Sequence, residues 1–267
     1  MIAPEKDCIT TRIWHETPEA DNPFAAREAH CHGYDVYGEL LGKARWADMI
    51  FLLFSGEAPK PAEAALLENL AVVLANPGPR DVSVHAAMCG GTGGSSSASC
   101  LMAALAAGAG QLGGGREVRL AMEAWRTNGC DLDRWLAMPR SPSQQQPVSG
   151  WPDAERWPGF DPHGVTCATP VRQTLSVLST LSPGPHLPWL LQHRDVLEQA
   201  AGLPLALSGV AAAAYVDLKL EPDQGEMLHL LLRLPGAAVH ALEQSRLGHK
   251  KFPFFAIDLV ENEGKAP

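Results

Sequence analysis

The chain has 267 residues and a mass of 28.5 kDa, enough to enclose a full hydrophobic core as one domain or as a large domain with a small one. Its 21 Lys and Arg stand against 30 Asp and Glu, a formal net charge of −9, which argues against nucleic acid or an anionic membrane as partner, because phosphate-rich surfaces are bound by clustered cations. Six cysteines (Cys8, Cys31, Cys89, Cys100, Cys130 and Cys167) include no C-x-x-C pair, and residues 1–11 carry no cationic, apolar leader. A cytoplasmic chain without a disulfide framework is therefore expected. No apolar run reaches the roughly 18 residues of a membrane span; the alanine stretch around 103–109 is interrupted by glycines and ends in charge.

The elements read almost wholly as helix. From 35 to 54 the apolar residues Val36, Leu40, Leu41, Trp46, Met49, Ile50, Leu52 and Leu53 recur at helical spacing, with breaks at Gly42 and Ser55-Gly56, which predicts two short helices. Pro61 suits a first helical turn, and 63–75 carries strong helix formers until Asn76-Pro77-Gly78-Pro79 stops them. Further helices are predicted over 99–108, 118–126, 170–181, 189–201, 208–220 and 224–234. Period-two alternation is short and rare, so little or no sheet is expected. Pro, Ser, Gln and Gly crowd 138–159, which reads as a long loop, and the run Ser182-Pro183-Gly184-Pro185-His186-Leu187-Pro188 separates two later helices.

Two local patterns invite a cofactor or metal reading. Gly108-x-Gly110-x-x-Gly113 matches the dinucleotide fingerprint by letter, but that motif requires a preceding strand, and what precedes it here is alanine-rich and helical. The glycines instead suit a helix terminus with positive φ and close approach of another backbone or a ligand, or a glycine cap with no ligand at all. His30-Cys31-His32 offers ligands too close together to close a tetrahedral shell, and no second pair matches them, so no metal site is expected.

A more specific signal lies in two segments, LMAALAAGAGQLGGGREV at 101–118 and LLLRLPGAAVHALEQ at 230–244. Both resemble the citrate synthase superfamily, in which an alanine-rich helix enters a Gly-rich active-site turn and a later Arg-bearing helix continues into an A-H-x-x-E-Q-like stretch. ITTRI at 9–13, GYDVYGELLG at 33–42 and LLFSGEAP at 52–59 are similar to the family's opening segments. The compact length, and the continuation Ser245-Arg246-Leu247, resemble citryl-CoA lyase and the C-terminal module of ATP citrate lyase.

The resemblance implies an all-α, citrate-synthase-like fold: a large helical domain from 1–117 and 206–267, and a small mobile helical domain inserted at 118–205. It further implies a homodimer that makes or cleaves a C–C bond of a polycarboxylic acyl-CoA, with the coenzyme A thioester as substrate and no tightly bound cofactor. Residue by residue, Arg233 falls on a carboxylate-binding arginine, a role that suits a planar two-pronged donor; a solvated helix charge is the alternative. GFDPHG at 159–164 resembles the family's G-F-G-H-P with one residue inserted, implying a ketone-polarising His163 with Arg172 following as its anion-binding partner; a loop histidine that only faces solvent is the alternative. Lys251 sits near a family arginine that reaches across the dimer, or else belongs to a charged tail. His85 stands near the lyase module's D-H-G, with a core histidine as the alternative.

Two departures qualify the chemistry. Where the synthase reads P-L-H-G-G-A, this chain has Gly113 in place of the catalytic His, followed by Gly114. Where the family reads N-V-D-x-x-S-G, this chain has Leu205, and an aliphatic side chain cannot take a methyl proton. The resulting expectations are an enzyme with an atypical site, drawing its carboxylate from an unmatched position such as Asp161; a catalytically silent acyl-CoA or polycarboxylate binder; or a purely structural partner.

Overall fold

The computed structural model describes residues 10–139 and 156–252. The leader reading at the N-terminus, Cys8 and most of the proline-rich loop at 138–159 lie outside them. The elements run β1 (Trp14–Pro18), β2 (Ala26–Cys31), β3 (Tyr34–Asp35), a π-helical turn (Val36–Leu40), α1 (Trp46–Ser55), α2 (Pro61–Leu74), α3 (Val82–Thr92), α4 (Ser97–Gly108), α5 (Gly115–Asn128), α6 (Leu132–Leu136), α7 (Thr169–Leu181), α8 (His186–Ala201), α9 (Leu207–Asp217), α10 (Pro222–Leu247) and a 3₁₀ turn (His249–Lys251). The fold is helical as expected, with one small antiparallel sheet in the order β1-β2-β3. No helix among the described residues is long and apolar enough to cross a membrane.

Two compact units make up the chain, Met1–Leu74 with Ala109–Leu232, and Ala75–Gly108 with Arg233–Pro267. The first unit is built around α9, where Val210 through Tyr215 are all fully buried. Small side chains on every face let other helices come close, and α5, α7, α8 and α2 pack around this one. Against it α5 presents Val118, Ala121, Met122 and Trp125, an i, i+3, i+4, i+7 stripe. Trp125 meets Trp135 and Trp189 edge-on, at centroid distances of 4.8 and 5.7 Å, a favoured arrangement for aromatic quadrupoles. The hairpin is peripheral: Trp14 pairs with Cys31, the register shifts between Thr17 and Pro18, and Ala29 and Cys31 alone among the strand residues are buried.

In the second unit α3, α4 and the later part of α10 enclose a small core of Val84, Ala87, Cys100, Ala104, Ala237 and Ala241. Helix α3 was not foreseen, because its glycines look like breakers. Here they serve contact: a Cβ on Gly91 would strike the carbonyl oxygen of Ala241. Asp81 opens the helix by accepting the Ser83 N–H at 2.9 Å. The expected end of α10 at 234 is also exceeded, since the helix continues through Pro235. Proline removes one helical hydrogen bond, and Gly236 N–H, next in the chain, donates instead to the carbonyl of Ala75 at 2.7 Å.

Gly159 is placed where only glycine fits. Its φ is +87°, and a Cβ there would lie 2.7 Å from Gly209 Cα. Gly159→Ala should therefore lose about 2–4 kcal/mol of unfolding free energy, from left-handed backbone strain and overpacking together. Urea denaturation of the variant beside the parent protein checks this.

Candidate functional site

The site grows from a turn, a loop and a cavity, all within the first unit. The turn ends at Gly113, with φ +67°, and Gly114, which caps α5. From the first turn of that helix Glu117 folds back to accept the N–H of Gly113 and, at 3.1 Å, the N–H of Gly159. Its other partner is Arg156, 3.3 Å away, which also donates to the carbonyl of Phe160 at 3.1 Å and to that of Gln111. The carboxylate is 2 % exposed and the guanidinium 11 %. Burial pushes the Glu117 carboxyl above its ordinary range, against the pull of the Arg156 charge and the two backbone N–H groups.

The loop continues the same connection. Phe160 bridges to Leu205, with Asp161 N–H donating to Pro204 O at 2.8 Å and Ala206 N–H donating to Gly159 O at 3.0 Å. The Gly-rich turn, the loop carrying His163 and the segment around Leu205 are thus tied into one framework. Asp161 turns onto its own loop, where Oδ1 accepts the His163 N–H at 2.9 Å.

Beside this loop opens a cavity of about 640 Å³ bounded by 164–167, Arg172, Arg194, Asp195, Glu198 and 202–204. Arg172 is exposed and donates to Thr169 Oγ1 at 3.1 Å. Arg194 reaches Asp195 at 2.5 Å and Glu198 at 3.5 Å. Glu198 Oε1 accepts the backbone N–H of Leu205 at 3.0 Å. The Cys167 thiol is pushed up by burial and by Glu198, with Arg194 opposing. Guanidiniums such as those of Arg172 and Arg194, both in the lining, can hold carboxylate or phosphate groups. Among the described residues no group of three His, Cys, Asp or Glu could hold a metal ion.

Of the residues singled out from sequence, Gly113, Gly114, His163 and Arg172 lie in this unit. His163 is exposed on the loop, one residue before the cavity-lining Gly164, and Arg172 lines the cavity itself. Arg233, His85 and Lys251 belong to the second unit. Arg233 is 5 % exposed and ion-paired with Asp81. His85 is half-buried on α3, its ring 5.7 Å from that of Phe252, and Lys251 is exposed in the 3₁₀ turn. Leu205, which the sequence resemblance set against the family's carboxylate, is 3 % exposed. Glu117, Arg156 and Glu198 were not anticipated. An acidic residue in the first turn of a helix opened by glycines was a legible hint for Glu117; no local pattern marks the other two.

Solved structures decide the architecture. Citryl-CoA lyase from Hydrogenobacter thermophilus superposes with a TM-score of 0.70 over 96 % of this chain and 97 % of its own, at 18 % identity. The fold is that of citryl-CoA lyase. ATP citrate lyase from Methanothrix soehngenii, solved with citrate and coenzyme A, matches 99 % of this chain at TM-score 0.71 and 18 % identity; this chain spans 44 % of its length. Citrate synthase from Thermoplasma acidophilum matches more loosely, at TM-score 0.55 and 14 % identity over 84 % of this chain and 59 % of the synthase. No protein-family model and no curated protein sequence matches. At such identities the citrate synthase likeness is one of fold, and chemistry has to be argued from the side chains.

Proposed function

We propose that this chain is a citryl-CoA lyase-like or citrate synthase-like protein that makes or cleaves a C–C bond of a polycarboxylic acyl-CoA, working as a cytoplasmic homodimer. The observation that carries the reading is the cavity of about 640 Å³ with Arg172 and Arg194 in its lining, beside the loop of His163 and the Leu205 segment. In this reading Arg172 holds a substrate carboxylate, His163 polarises the carbonyl, and the Gly113-Gly114 turn lets the thioester approach the backbone. The thioester is substrate, and no bound cofactor is required. Residues 118–205 are, in this reading, the small domain of the resemblance, and its described helices α5, α7 and α8 pack on α9. Arg233, His85 and Lys251 are candidates for anion contact within their own unit.

A catalytically silent acyl-CoA or polycarboxylate binder is the second reading. Leu205 favours it, because the residue that the sequence resemblance sets against the family's carboxylate is a buried aliphatic side chain. Calorimetric titration with coenzyme A, acetyl-CoA and citrate, followed by a thioester-cleavage assay on citryl-CoA, tests both. Binding with a Kd between about 1 μM and 1 mM is expected, and Arg172→Ala should weaken citrate by about 10- to 100-fold, as loss of a charge-assisted hydrogen bond does. Cleavage of citryl-CoA selects the enzyme, binding without cleavage selects the silent binder, and no binding of any of the three ligands overturns both.

A further inference from the structure

We infer that Glu198 is the carboxylate that moves the proton at the substrate carbon, in place of the acid that Leu205 cannot supply. The inference rests on the enzyme reading above, in which a C–C bond beside a thioester is made or broken and a carboxyl group must remove or deliver a proton at the α-carbon.

The cavity narrows the choice of acid. The carboxylates among its described lining residues are Asp195 and Glu198. Asp195 is 84 % exposed and turned to Arg194 at 2.5 Å. Glu198 is 19 % exposed and held from two sides, by the Leu205 N–H at 3.0 Å and by Arg194 Nη1 at 3.5 Å. Asp161, the carboxylate suggested by sequence, spends Oδ1 on the His163 N–H of its own loop. Glu198 therefore reaches from α8 to the backbone of the residue whose own side chain is inert. Both fixed contacts fall on Oε1, so the carboxylate is oriented before a ligand arrives, the condition under which an acid or base is effective.

In the cleavage direction the tertiary hydroxyl of the citryl group gives its proton to a base, a role that suits the His163 imidazole, and the oxygen's electron pair becomes the ketone C=O. The C–C bond breaks, and its electron pair passes to the carbon next to the thioester. A proton taken up from water by Glu198 passes to that carbon, leaving acetyl thioester, a keto acid, a Glu198 carboxylate and an imidazolium; release of the imidazolium proton to water closes the cycle. In the synthetic direction each transfer reverses, and Glu198 takes a methyl proton from the acetyl thioester.

The test compares the full chain with Glu198→Gln and Glu198→Asp. It reads citryl-CoA cleavage, deuterium uptake into the methyl group of acetyl-CoA in heavy water, and calorimetric binding of coenzyme A and citrate. Gln keeps an acceptor for the Leu205 N–H but cannot cycle a proton, so cleavage and deuterium uptake should both fall by about 100-fold or more while binding stays within about threefold. Asp keeps the charge but draws it back by one methylene, and should lose about tenfold or more in both rates. If Glu198→Gln does not fold, Glu198→Asp decides in the same way. Rates within about threefold of the parent in either folded variant overturn the inference. A parent protein that binds coenzyme A but neither cleaves nor exchanges also overturns it and leaves the silent binder standing. Absence of all binding removes the functional reading itself, and this inference with it.

Discussion

Glu117→Ala is expected to cost about 3–5 kcal/mol of unfolding free energy, because it leaves the Arg156 guanidinium buried without its counter-charge. Arg156 is 11 % exposed and Glu117 2 %, so solvent screens the pair little. The same change removes the acceptor of the Gly113 and Gly159 N–H groups and releases the Gly-rich turn from the loop of His163. Glu117→Gln keeps one acceptor oxygen and should cost less, about 1–3 kcal/mol. The pair of variants separates charge from hydrogen bonding in urea denaturation at neutral pH. The pH dependence has a definite sign. Burial holds the folded carboxyl above its ordinary range, so the folded protein binds this proton more tightly than the unfolded chain. The stability it contributes is fully present below the ordinary glutamate range and is lost as pH rises through the folded value. Glu117→Gln should abolish that decline.

Asp217→Ala is expected to be similarly costly, about 3–5 kcal/mol, through a different arrangement. The side chain is fully buried and accepts from Ser182 Oγ at 2.6 Å, from His186 N–H and Leu187 N–H at 2.9 Å each, and pairs with His186 Nδ1 at 2.8 Å. Two of these donors belong to the first turn of α8, where backbone N–H groups have no partner within the helix. Gly184 packs so closely that a Cβ would collide with the carboxylate. Burial alone would raise the Asp217 carboxyl, but the hydrogen bonds from His186, Ser182 and the α8 backbone prevail and hold it below its ordinary range. Its contribution is therefore present above the ordinary aspartate range and lost as pH falls through the folded value, opposite in sign to that of Glu117. Thermal melts across the acid range should show the parent losing stability on acidification more steeply than Asp217→Asn. A variant whose acid profile overlays that of the parent would contradict the assignment.

Both predictions rest on groups that no sequence window could have linked. Glu117 meets Arg156 across 39 residues and Gly159 across 42, and Asp217 meets His186 across 31. By contrast, a helix over 118–126 was legible in advance, because the period of a helix is a property of consecutive residues. The same holds for α2 behind Pro61, and for the Gly-rich turn, whose glycines announced positive φ before Gly113 showed it.

Where local signals conflicted with packing, packing prevailed. Gly90 and Gly91 look like breakers, yet α3 runs through them because helices in its unit approach too closely for a side chain. Pro235 looks like a stop, yet α10 continues to Leu247. Sequence by itself determined the helical character, the turn at Gly113 and the absence of a proton-transferring side chain at Leu205, since each follows from residue type and spacing. The tertiary structure alone decided that Arg233 is buried against Asp81, that Glu117 ties the turn to the loop, and that Glu198 reaches the backbone of Leu205. The physical reason is that helical propensity is decided within a few residues along the chain, whereas a buried charge takes whichever partner folding brings within hydrogen-bond distance.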